Sequence, residues 1–278
     1  MTNVADLPFE LQLQPGYPLP GRFVPLSQHR VSSVLHTTED APRFQMLKER
    51  LRRQQPARCD LAHSTYDLEA RAQVTRWLQT EQRRKGLSGT TDSDPPRSLG
   101  AQLLSLQEDL VVMLRPAGSV PEAAHVAYID VSFPSGWAPE TVLGHDFARL
   151  HAPVPAHDRF GEPHRERLAR LLFGRQVLLR FVWTVTPDDA LDRHPLTPLT
   201  PLTPWTHTTR VFLRVERQVI VPLSDRLSVF VIRLYVLPCA ALPEQLRADL
   251  RQAVRSMPDA VARYKGLFDH RSTIAQRI

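Results

Sequence analysis

The sequence predicts an α+β fold: a five-stranded antiparallel sheet with helices packed on one face, preceded by an N-terminal helical region. Three observations carry this. Apolar residues recur at helical spacing over 43–54 and 66–82. The second half changes to short β-prone runs with intervening helices, an α+β order. The last two runs are separated only by Ser224-Asp225-Arg226, a hairpin-length connection.

The elements follow in order. Residues 1–30 are proline-rich and poorly periodic, an extended entry segment. Phe44, Leu47 and Leu51 mark the first helix; Leu68, Val74, Trp77 and Leu78 mark the second. Residues 83–98 read as a loop, with Gly-Leu-Ser-Gly, Thr-Thr-Asp-Ser-Asp and Pro-Pro. That loop divides 1–98, an extended segment with helices packing on the core, from a core of 99–278. The expected strands are Asp109 to Leu114, His125 to Phe133, Gln176 to Val185, Arg210 to Leu223 and Leu227 to Leu237. Helices are expected over 142–150, 164–173, 243–256 and 258–265. Leu-Thr-Pro occurs three times from Leu196 to Pro204; proline at every third residue blocks helix and sheet, and a surface insertion is expected.

Composition narrows the function classes. The formal charge is +6, and only Lys48, Lys85 and Lys265 of the 35 basic residues are lysines. Arginine, alanine and proline enrichment has a bland source in genome composition. No apolar run approaches the ~20 residues of a membrane helix. Met1 to Pro20 carries acids and prolines in place of a basic flank and apolar core, so no signal peptide and a cytoplasmic location are expected. Two cysteines, Cys59 and Cys239, make neither a disulfide framework nor a cysteine-only iron–sulfur site. There is no G-x-G-x-x-G, P-loop, C-x-x-C or H-E-x-x-H, and Ser135-Gly136 lacks the G-x-S-x-G context of a serine nucleophile. No basic patch with interleaved aromatics supports nucleic-acid binding.

Two blocks hold the candidate chemistry. In Phe133 to Pro155, a turn with Pro134, Gly136 and Pro139 precedes a short helix ending at His151, and Pro153 and Pro155 prevent its continuation. A histidine so held suits an axial metal or haem ligand, and equally a cationic cap on the helix C-terminus. His145 is the competing ligand. The second block is Val211 to Ile220. With period two, Phe212, Arg214, Glu216, Gln218 and Ile220 share one face, and Arg217 lies among valines on the other. A buried arginine needs a partner: Asp130, another carboxylate, or the propionates of a bound cofactor. Arg180 and Arg233 also stand inside apolar strands.

At these blocks the chain resembles the α subunit of the haem-dependent oxidative N-demethylases. The matching stretches are Q-E-D-L at Gln107 to Leu110, F-P-S-G-W at Phe133 to Trp137, H-A-P-V-P at His151 to Pro155, L-R-V-E-R-Q at Leu213 to Gln218 and Y-K-G at Tyr264 to Gly266, in the family's order. The resemblance implies a PAS-like fold holding haem b. It implies oxidation of a dimethylamine-like secondary amine by O2 to formaldehyde and a shorter amine. Electrons would come from NADPH through separate flavin and iron–sulfur subunits. His151 matches the histidine of the family's H-x-P-V-P motif and is the expected axial iron ligand. Glu216 is the expected partner of the amine cation, or otherwise an ion-pair partner of Arg214 or Arg180. Arg217, Arg233 and Arg180 are candidates for the haem propionates, and Trp137 for packing beside the haem or in the core. Val182 stands where the family more often has asparagine, which puts the substrate in question. A haem-binding sensor or carrier module is the alternative.

Overall fold

The computed structural model describes residues 23–28, 31–87, 98–152, 155, 169–195, 205–206 and 208–278. The strands form one antiparallel sheet of seven, in the order β1-β5-β6-β7-β3-β4-β2. Five are long: β3 (Glu108–Leu114), β4 (His125–Asp130), β5 (Leu178–Thr186), β6 (Phe212–Pro222) and β7 (Leu227–Pro238). These correspond to the five expected runs. The two additional strands, β1 (Val24–Pro25) and β2 (Leu61–Ala62), pair with β5 and β4 at the sheet's two edges. Two-residue strands are too short to show a period, and Pro25 is tolerated because β1 is an edge.

Helices cover both faces of the sheet, not one. On the first face lie Leu179, Trp183 and Val185 of β5, Leu213, Val215, Val219 and Val221 of β6, and Val229, Val231, Tyr235 and Leu237 of β7. One half of that face packs on α5 (Glu244–Ser256), α6 (Asp259–Tyr264) and α7 (Arg271–Arg277), through Leu250, Val254, Val261 and Ile274. The other half packs on α2 (Leu68–Arg84) and α3 (Leu99–Leu104), through Val74, Leu78 and Leu103. On the second face, Leu178, Ile220 and Ile232 pack with Phe147 and Leu150 of α4 (Phe147–His151) and with Ala169 and Leu172. α1 (Ala41–Gln54) brings Phe44 against Phe133, Phe212 and Leu234. The one-face expectation fails because β7 is a nearly continuous apolar run, as a strand buried on both sides requires.

Local rules set the helix ends. Asp67 caps α2 by accepting from the Ala70 amide at 2.8 Å, and Asp146 caps α4 through the Arg149 amide at 2.8 Å. Leu68, placed on the apolar stripe by its spacing, is 84% exposed because it is the first residue of α2. The expected 142–150 helix is shorter, a 3-10 turn at Pro139–Thr141 followed by α4. β4 stops at Asp130; three residues on, the Phe133 amide turns aside to donate to Asp109 Oδ2 at 2.9 Å. Of the expected 164–173 helix, 169–173 are described, and 169–172 are helical. The Leu-Thr-Pro repeat lies outside the described residues. No described helix is long and apolar enough to cross a membrane.

Candidate functional site

Each face of the sheet carries a polar band across its middle, and β6 supplies both. Along β6 the residues alternate, so Arg217 points to the first face while Arg214, Glu216 and Gln218 point to the second. Apolar clusters flank each band: Val215 and Val219 bracket Arg217, and Phe212 and Ile220 bracket the other three.

On the first face Arg217 stands opposite Arg233 in register. Two buried guanidinium groups side by side require acceptors. The segment of residues 33–38 supplies most of them, through three backbone carbonyls and the Thr38 hydroxyl. Arg217 donates to Val34 O at 2.8 Å and Ser33 O at 2.6 Å. Arg233 donates to His36 O at 3.1 Å and Thr38 Oγ1 at 2.6 Å, and lies 3.5 Å from Asp40. The Q-E-D-L stretch holds the same segment: Gln107 Oε1 accepts from the Thr38 amide at 2.7 Å, and Glu108 Oε1 from the His36 amide at 2.6 Å. The Tyr235 hydroxyl lies 2.8 Å from His36 Nδ1. Burial, with Arg233 and then Arg217 nearby, pushes His36 down to about 4. Asp130, a partner considered for Arg217, is engaged by Arg52 instead, and burial raises it to about 6.

On the second face the F-P-S-G-W turn meets β6. Gly136 has φ +87°, which its missing Cβ permits, and its amide donates to Arg193 O at 3.1 Å. The turn delivers Ser135 to the strand. Arg214 Nε donates to Ser135 Oγ at 2.8 Å, and Ser135 Oγ bonds Glu216 Oε1. The rest of the Arg214 guanidinium donates to the carbonyls of Phe133, Pro134, Ala190 and Leu191. Gln218 Nε2 donates to Glu216 Oε2 at 2.7 Å, and Arg180 Nε donates to Gln218 Oε1 at 2.6 Å. Arg180 also stacks over Phe23, 4.5 Å from its ring centre. Glu216 thus meets Arg214 and Arg180 through Ser135 and Gln218. Glu216 is half-buried and opposite Val182. Beyond Val182, Lys265 bonds the Trp183 carbonyl, and burial pushes its ammonium down to about 8 while Glu216 opposes the shift.

His151 closes α4 on this second face. Its Nδ1 lies 2.9 Å from Phe147 O, and its ring is 4.2 Å from the Phe147 ring. A carbonyl only accepts, so Nδ1 carries the proton and the lone pair falls on Nε2. Trp137 is half-buried in the apolar cluster of Phe147 and Leu150. His145 lies before α4, its carbonyl accepting from the Val126 amide at 2.9 Å; burial and Arg149 lower its imidazole. Among the described residues no group of three His, Cys, Asp or Glu is placed to hold a metal ion.

The structure therefore divides the expected site residues. His151, Trp137, Arg180 and Glu216 share the second face, whereas Arg217 and Arg233 belong to the first, where backbone carbonyls and Asp40 occupy them. Ser135 and Gln218 were not foreseen as site residues; their signal was their place inside F-P-S-G-W and R-V-E-R-Q. The model of the family described as "Haem-dependent oxidative N-demethylase, alpha subunit-like" matches residues 56–275. The chain belongs to this haem-dependent oxidative N-demethylase alpha subunit-like family.

Proposed function

We propose that the chain is the haem-binding catalytic subunit of an oxidative N-demethylase acting on a small secondary methylamine. The observation that carries this is the Glu216 carboxylate, held by Ser135 and Gln218 on the same face of the sheet as His151 and Trp137. The donor set suits haem b. His151 has its Nδ1 proton engaged by a backbone carbonyl, which leaves Nε2 as the coordinating nitrogen, the usual arrangement of a metal-ligating histidine. Trp137, Phe147 and Leu150 offer the apolar surround that a porphyrin face requires, and Arg180 is the candidate propionate partner on that side. His145 is the alternative ligand. When bound, haem b supplies O2 activation for oxidising a methyl C–H, with formaldehyde and the shorter amine as products.

The chain's own part is binding and orientation. A protonated amine pairs with Glu216. A carboxylate offers about four lone-pair positions. Ser135 and Gln218 take two. The two that remain match the two N–H donors of a dialkylammonium. Val182, Glu216's cross-strand neighbour, adds an apolar wall suited to an N-methyl group. Electrons would arrive from a separate NADPH-linked flavin and iron–sulfur subunit, and the work of catalysis would be in the cytoplasm. The N-terminal helices and the 99–278 core would act as one unit, because α2 and α3 pack directly on the sheet.

The test is spectroscopic. The protein expressed with haem should show a Soret band, and His151→Ala should lose it while His145→Ala keeps it. Haem-loaded protein with a reductase should release formaldehyde from dimethylamine, and Glu216→Gln should raise KM for the amine. Absence of a Soret band in the wild type overturns the reading. Haem binding without formaldehyde release would favour a sensor or carrier.

A further inference from the structure

The hydrogen bonds around Glu216 have only one possible direction. A guanidinium has donors and no acceptor. Arg214 Nε must therefore give its proton to Ser135 Oγ, 2.8 Å away. Ser135 owns a single hydrogen, which is then left for Glu216 Oε1. The same logic runs on the other side. Arg180 Nε must donate, so the Gln218 atom facing it at 2.6 Å is the carbonyl oxygen. The Gln218 amide nitrogen then turns to Glu216 Oε2, at 2.7 Å. Both carboxylate oxygens receive a donor, and neither relay can reverse while the arginines stay in place.

Neither arginine is loose. Arg214 is 1% exposed and anchored by four backbone carbonyls from two separate segments, Phe133–Pro134 and Ala190–Leu191. Arg180 is braced on the Phe23 ring. A direct Arg–Glu ion pair would have neutralised Glu216 and filled its lone pairs bidentately. Interposing Ser135 and Gln218 passes on the donor polarity and leaves room for a cation.

We infer that Ser135 and Gln218 are positioning residues: they relay the fixed donor polarity of Arg214 and Arg180 to Glu216 and hold it as an aimed carboxylate. This rests on the reading of Glu216 as the amine partner. It assigns the serine of F-P-S-G-W to aiming the carboxylate, with no role as a nucleophile. It also places the substrate cation against the Glu216 lone pairs not used by Ser135 and Gln218.

Two measurements test it. Infrared difference spectra of protein with isotope-labelled glutamate, wild type against Glu216→Gln, isolate the Glu216 carboxylate band; the chain needs no haem for this. Ser135→Ala and Gln218→Leu should each shift that band, and Ser135→Thr should restore it. In the haem-loaded enzyme with reductase, Ser135→Ala should raise KM for dimethylamine about tenfold with kcat within about twofold, and Ser135→Thr should recover most of the loss. An unmoved band in both Ser135→Ala and Gln218→Leu, in protein that melts as wild type does, overturns the inference. A band that moves in Ser135→Ala while Glu216→Gln leaves KM unchanged supports the relay and removes Glu216 as the amine partner. Failure of Ser135→Thr to restore the band, while Ser135→Ala shifts it, would assign the shift to a collapsed turn and overturn the relay.

Discussion

Arg214 shows how one side chain joins fold and site. It is among the largest fully buried side chains, and its guanidinium reaches Ser135 Oγ and four backbone carbonyls. Burial lowers its pKa to about 10, with Glu216 opposing, so it stays charged at neutral pH. A lysine keeps the charge but has no planar fork to serve two segments at once. Arg214→Lys should lower the unfolding free energy by about 2–4 kcal/mol, since buried carbonyls lose charged donors at about 1–3 kcal/mol each. Urea unfolding followed by circular dichroism measures this. His36 makes the complementary prediction. Its folded pKa of about 4 lies below the unfolded 6.5, so the unfolded chain takes up the proton first as pH falls. Its contribution is complete above pH 6.5 and is lost progressively toward pH 4. The urea midpoint should fall more between pH 7 and pH 5 for wild type than for His36→Gln. A smaller or equal fall in wild type contradicts the assignment.

At the scale of elements, the 33–38 segment lies across the first face, held by side chains from β3, β6 and β7. Arg217→Met should leave Val34 O and Ser33 O without their donors, and hydrogen exchange over 33–38 should quicken while β6 and β7 stay protected. This contact was not legible in the sequence. Arg217's acceptors are main-chain carbonyls, 183 residues away in the case of Val34, and a carbonyl has no residue type to signal it. The long strands were legible, because each carries enough period-two or apolar sequence to be seen alone. Strand edges were not: β1 and β2 exist only because β5 and β4 offer them partners. Glu216 was legible as a charged residue inside an apolar strand. Its setting was only half so, because the network depends on Ser135 arriving from a turn 81 residues away. Two-face coverage was not legible because the charged residues alternating along β6 mask the burial of Phe212 and Ile220 on the face opposite Val215 and Val219.

For the whole molecule, the sheet separates two chemistries by its own thickness. Packing errors on one side should cost stability without touching the other. Leu250→Ala, in the α5 layer with Leu250 fully buried, should cost about 2–5 kcal/mol and leave haem uptake unchanged. Phe147→Ala should cost about 3–5 kcal/mol and also weaken haem uptake, because Phe147 backs the His151 ring. Being on opposite faces, the two stability losses should add within about 0.5 kcal/mol in the double variant. Heat or urea unfolding together with haem titration distinguishes these outcomes.

The adjacency of Glu216 and Arg217 on β6 has a consequence for how the chain must fold. Side chains alternate strictly along a strand, so a slip of one residue turns every one of them over. Such a slip would bring a guanidinium where the carboxylate belongs, and the proposed cation site at Glu216 would become one that repels cations. Pairing of β6 between β5 and β7 therefore fixes the sign of the site as well as the shape of the sheet. The buried arginines, each demanding its own acceptors, make the wrong pairing costly on both faces at once.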